Sequence, residues 1–127
     1  MKRGFTLLEV LVAVMVLGTA VAAISGVLGT SMRNVSRAED YERVTLLARA
    51  QMNELMTLPW REGQVWNGAW AGGCTYRAYT SKMPAASPNE DALGFELMRM
   101  TLVGTWQTSR GPKTYTLEMA RAQRKTL

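Results

Sequence analysis

The chain contains no histidine. Ser/His and Cys/His nucleophilic pairs and histidine-bearing zinc sites are thereby excluded, because each needs an imidazole to move a proton or hold the metal. Cysteine is nearly absent too. Cys74 stands alone among 127 residues, so no disulfide can close within the chain. A lone thiol in an oxidising compartment is either buried or paired with another chain, and the strand-like run around Cys74 predicts burial. All four prolines lie at or beyond Pro59, which leaves the first 58 residues free of the strongest helix breaker.

Charge is missing from one long stretch. Between residues 5 and 29 the only ionisable carboxylate or cation is Glu9. Positive charge does not gather elsewhere, although the net charge is +5. Between residues 33 and 62 five arginines are matched by five carboxylates, and the excess sits in Lys2 and Arg3 and in Arg121, Arg124 and Lys125. A nucleic-acid binder carries a basic stripe on one element, so no nucleic-acid partner is expected.

What is present begins with that uncharged stretch. Its 25 residues, taken as a helix, span about 37 Å at 1.5 Å per residue, more than the roughly 30 Å hydrocarbon core of a bilayer. Lys2 and Arg3 ahead of it predict a cytoplasmic N-terminus, with the rest of the chain carried across the membrane. A cleaved secretory signal is one reading, because Ala20-Val21-Ala22 imitates a cleavage triplet. A plain signal anchor is a second. A third, a short processed leader, is the one that accounts for Glu9. A carboxylate costs roughly 2.5–3.5 kcal/mol near the centre of an inserted helix, and less toward an end. A signal peptide gains nothing from that cost, whereas a helix that needs a partner does.

The run Gly4-Phe5-Thr6-Leu7-Leu8-Glu9-Val10 resembles the processing motif of type IV prepilins and type II secretion pseudopilins. The resemblance implies cleavage by a prepilin peptidase between Gly4 and Phe5, with N-methylation of Phe5 by the same enzyme. It also gives Glu9 an assembly role, pairing with the new α-ammonium of a neighbouring subunit. At about 4 Å and an effective dielectric near 20 the raw attraction is about 4 kcal/mol, offset by desolvation.

Small residues at Gly18, Ala20, Ala22, Ala23, Gly26 and Gly29 allow close helix approach or are simply tolerated by lipid; Gly26 and Gly29 lack the four-residue spacing of a close-packing motif, while Gly18 and Ala22 have it. Beyond the membrane, Val44, Leu47, Ala48, Met52, Leu55 and Met56 recur at helical spacing from Tyr41 onward, with Leu46 off the stripe. Pro59 predicts the helix end at residue 58. Residues 64–70, 74–80, 95–106 and 113–122 read as strands, and 108–112 as the loop of the last hairpin. The expected fold is α+β, a long helix followed by a small antiparallel sheet that the helix covers on one face. The expected segments are a leader at 1–4, a transmembrane and assembly helix at 5–29, its periplasmic continuation at 30–58 and a sheet domain at 59–127.

Of the four tryptophans, Trp106 lies in a long alternating strand and is expected in the core. Trp66 and Trp70 fit either a core or a partner surface, and Trp60 follows the helix end. Asn89-Glu90-Asp91 offers two carboxylates, short of the six to eight oxygens calcium takes, so a solvated loop and no metal are expected. No cofactor and no catalytic residue is expected.

Ala48-Arg49-Ala50-Gln51-Met52-Asn53-Glu54-Leu55, followed by Trp60 and Gly63, is similar to the helix end of I-type minor pseudopilins, and 95–103 is compatible with their penultimate strand. The short chain and four-residue leader agree with that family, as does the lack of the C-terminal cysteine pair common in pilins. The resemblance implies a non-enzymatic inner-membrane protein at the tip of a secretion pseudopilus. Its implied partners are J-type and K-type minor pseudopilins, the major pseudopilin and the prepilin peptidase/methyltransferase. A minor pilin of a type IV pilus is the alternative.

Overall fold

A computed structural model describes residues 4–85, 87, 89 and 92–125. The chain divides into two units, Met1–Asp40 and Tyr41–Leu127, and α1 (Leu7–Met56) contributes residues to both.

In the first unit, the absence of proline and the run of Leu, Val, Ala and Met make helix the low-cost conformation. Thr19 and Thr30 donate their hydroxyls to the carbonyls of Val16 (2.9 Å) and Gly26 (3.1 Å). Those side chains therefore place no unsatisfied donor in an apolar surrounding. The described side chains from residue 4 to residue 28 are all exposed. This helix is long and apolar enough to cross a membrane.

The second unit holds the core. From α1 it buries Val44, Ala48, Met52 and Leu55, the i, i+4, i+8, i+11 stripe of one helix face, while Leu46 is exposed as its off-stripe position predicts. Four strands follow: β1 (Val65–Trp70), β2 (Cys74–Lys82), β3 (Phe95–Thr108) and β4 (Gly111–Arg124). They form one antiparallel sheet in the order β1-β2-β3-β4. The result is the expected α+β arrangement, a helix followed by a four-stranded antiparallel meander.

Alternation decides which side chains meet the helix. On β3, Met98, Met100, Leu102 and Trp106 are buried, with Cys74 and Ala78 on β2. Full burial of a Met or Leu contributes about 1.5–3 kcal/mol each, so this small core rests on few side chains. Two glycines let large rings into it. Gly68 leaves room for the Tyr76 ring, and Gly104 for the Trp70 ring, which stacks on Tyr76 at 5.0 Å between centroids.

The helix stops at Met56, two residues before the expected end. The amides of Thr57 and Leu58 turn back to the carbonyls of Glu54 (3.1 Å) and Leu55 (3.2 Å), the tighter i→i−3 pattern that closes many helices. The connection to β1 is then tied to Thr80, which is buried. Its hydroxyl donates to the Arg61 carbonyl and accepts from the Gln64 amide at 3.1 Å. The last hairpin differs from expectation. Its loop is only Ser109 and Arg110, because Thr108 and Gly111 already pair and Pro112 sits in β4 opposite Gln107. Proline is admissible there since β4 is an edge strand, and Gly111 supplies a left-handed φ of 110°.

Candidate processing and assembly site

Thr6 sets the start of α1. Its hydroxyl accepts a hydrogen bond from the Glu9 amide (3.2 Å), and its carbonyl accepts from Val10 (3.2 Å). Thr6 is therefore the N-cap, and Glu9 lies three residues into the helix, where a carboxylate interacts favourably with the positive end of the dipole. The sequence reading missed this role of Thr6. The signal was present as Thr6-Leu7-Leu8-Glu9, the Thr-x-x-Glu pattern of a capping box.

The cap places the Gly4–Phe5 bond outside the helix, in a non-helical stretch with Phe5 83 % exposed. The bond is thus flanked by exposed residues that carry no regular secondary structure. A Cβ at Gly4 would meet nothing within 4 Å, so packing does not demand glycine there. Gly4, Phe5 and Glu9 thus fall within six residues at the head of the apolar helix. Lys2 and Arg3 lie outside the described residues.

The other candidates resolve into the fold. Trp106 is buried, as expected, and so is Trp60, whose indole N–H donates to the Leu55 carbonyl at 2.9 Å. Trp66 and Trp70, open between core and surface in sequence, are half-buried against the core, and the Trp70 N–H reaches Gln51 Oε1 at 3.4 Å. Cys74 is fully buried in β2. Glu90 and Asp91 of the Asn89-Glu90-Asp91 run lie outside the described residues. Among the described residues no three His, Cys, Asp or Glu side chains converge as metal ligands.

Residues 1–25 match the family model described as the prokaryotic N-terminal methylation motif. The chain is 29 % identical over 110 residues to the type II secretion system protein I of Xanthomonas campestris pv. campestris, covering 83 % of this chain and 80 % of that protein. No solved structure matches it. A methylation motif at the head of a membrane-length helix, followed by a four-stranded antiparallel sheet, is a pilin-like arrangement. Within that class, the likeness to protein I supports an I-type pseudopilin of type II secretion.

Proposed function

We propose that the protein is a minor pseudopilin that works at the tip of the secretion pseudopilus and starts its assembly, without catalysis of its own. The carrying observation is the motif Gly4-Phe5-Thr6-Leu7-Leu8-Glu9 at the head of an apolar helix, with the scissile bond exposed ahead of a capped first turn. The chain inserts with Lys2 and Arg3 in the cytoplasm and the sheet domain in the periplasm. The peptidase cuts after Gly4 and methylates Phe5, which leaves the amine protonatable. Glu9 of one subunit then pairs with the Phe5 ammonium of a neighbour, so one short segment specifies both maturation and register. J-type and K-type minor pseudopilins and the major pseudopilin are the neighbours that such a helix joins.

Mass spectrometry of the mature N-terminus tests the maturation step: N-methyl-Phe5 is the expected first residue, and a start near Ala23 would refute the reading. For assembly, Glu9→Leu is expected to insert and mature normally but to co-purify poorly with J-type and K-type partners. Wild-type recovery of that variant in the complex would refute the pairing role. Recovery with pilus subunits instead of J-type and K-type partners would reassign the machine.

A further inference from the structure

Within Tyr41–Leu127 the helix and the sheet form two layers, and each layer has an outer face that the core leaves uncovered. On the helix, Glu42, Leu46, Arg49 and Asn53 recur at i, i+4, i+7 and i+11, opposite the buried stripe. All four are exposed, Leu46 at 61 %. On the sheet, alternation turns Arg77 and Tyr79 of β2, Thr101 and Val103 of β3, and Thr116 and Glu118 of β4 away from the helix.

The charges on these two faces match in sign and in spacing. Along the helix, Glu42 and Arg49 lie about 10 Å apart at 1.5 Å per residue. Across the sheet, Arg77 faces Val103, Val103 faces Thr116, and Glu118 follows two residues on. Two strand spacings and two residues put Arg77 and Glu118 about 12 Å apart. Leu46 lies between the helix charges, and half-buried Val103 lies between the sheet charges. Among the described residues nothing bonds the side chains of Glu42, Arg49 or Arg77. Glu118 accepts from the Thr101 hydroxyl at 3.3 Å, which leaves acceptor capacity on its carboxylate. Arg99 also faces outward, but a row beyond Glu118 and off the line from Arg77.

We infer that the outer sheet face of one copy docks on the outer helix face of a second copy. Arg77 meets Glu42, Glu118 meets Arg49, and Leu46 seats on Val103 beside Tyr79. The two patches lie on opposite sides of the domain, so the contact is head-to-tail and differs from a two-fold dimer. Exposed ion pairs contribute little singly; here they set register and reject misaligned neighbours, while Leu46, Val103 and Tyr79 supply the buried area. The inference rests on this domain alone and goes beyond the pairing of Glu9 with Phe5.

Exchange of the charges tests it on the full chain, with self-association measured by sedimentation equilibrium in density-matched detergent micelles. Arg77→Glu and Glu42→Arg are each expected to weaken self-association about tenfold or more, because each sets like charges against one another. The double variant carrying both changes restores opposite charges and is expected to return to within about threefold of wild type. Both positions are exposed, so tryptophan fluorescence of the variants should match the wild type. A wild-type chain that stays monomeric at about 100 μM would overturn the inference. So would single variants that associate like the wild type, or a double variant no stronger than the singles. Loss of J-type or K-type capture by Arg77→Glu, with self-association untouched, would overturn it too and assign the sheet face to those partners.

Discussion

Gly104 sits opposite both Tyr76 and Tyr115 on its neighbouring strands and beneath the Trp70 ring. A Cβ built there would lie 3.0 Å from Trp70 Cζ3 and 3.2 Å from Val44 Cγ1. Val44 is fully buried on the helix, so one neighbour has no solvent side to retreat to. Gly104→Ala is therefore expected to destabilise the fold by about 1–3 kcal/mol through overpacking, read as a lowered urea midpoint with an unchanged slope. At Gly73, where an added Cβ meets nothing, the penalty of alanine comes from its φ of 76° instead. Cys74 yields a second expectation at this scale. With its thiol fully buried, a maleimide should label the native protein far more slowly than the urea-unfolded chain. Labelling at equal rates would show that the thiol is open to solvent and to a partner chain.

The end of α1 is held by a strand far along the chain. Arg121 of β4 donates from Nη1 to the Met56 carbonyl at 2.8 Å and from Nη2 to the Leu58 carbonyl at 3.2 Å. Its guanidinium lies 4.1 Å above the Trp60 ring, and Gln123 donates to the Trp60 carbonyl at 3.0 Å and to Glu96 at 2.9 Å. A helix ends with carbonyls that have no intrahelical partner, and a cation at that end suits the dipole as well. Arg121→Met keeps much of the apolar stem but loses the fork, and is expected to cost about 1–3 kcal/mol. Arg121→Lys should recover only part of the loss, because an ammonium cannot span two carbonyls and the ring in one plane. Tryptophan fluorescence during urea unfolding checks both variants, and a full rescue by lysine would show that charge alone holds the helix end.

For the whole molecule, every buried residue of the core belongs to the unit Tyr41–Leu127, and the helix face it uses begins at Val44. A chain that begins at Thr30 and lacks the apolar segment is therefore expected to fold in water as a soluble domain, unfolding in a single cooperative transition. Aggregation of that chain, or a broad non-cooperative melt, would mean that the sheet depends on the membrane segment. The same truncation removes Phe5 and Glu9, so the proposed methylation and helix pairing are expected to be lost with it.

Sequence alone determined the features that depend on neighbours along the chain. The exposed motif from Gly4 to Glu9, the membrane-length helix and the apolar stripe through Val44, Ala48, Met52 and Leu55 all rest on local composition and period. Strand positions were legible for the same reason, since alternation marks them, though Pro112 and Gly111 disguised the start of β4 as loop. Only the tertiary structure decided what faces what. Whether Trp66 and Trp70 are core or surface depends on the register of β1 against β2 and on glycines placed opposite large rings. The grip of Arg121 on the helix end spans 65 residues of sequence. The open edge of β4 follows from strand order, which is set by which pairings bury Met100 and Leu102 beneath the helix. Burial is a property of surfaces brought together from distant parts of the chain, and no window of sequence contains both of them.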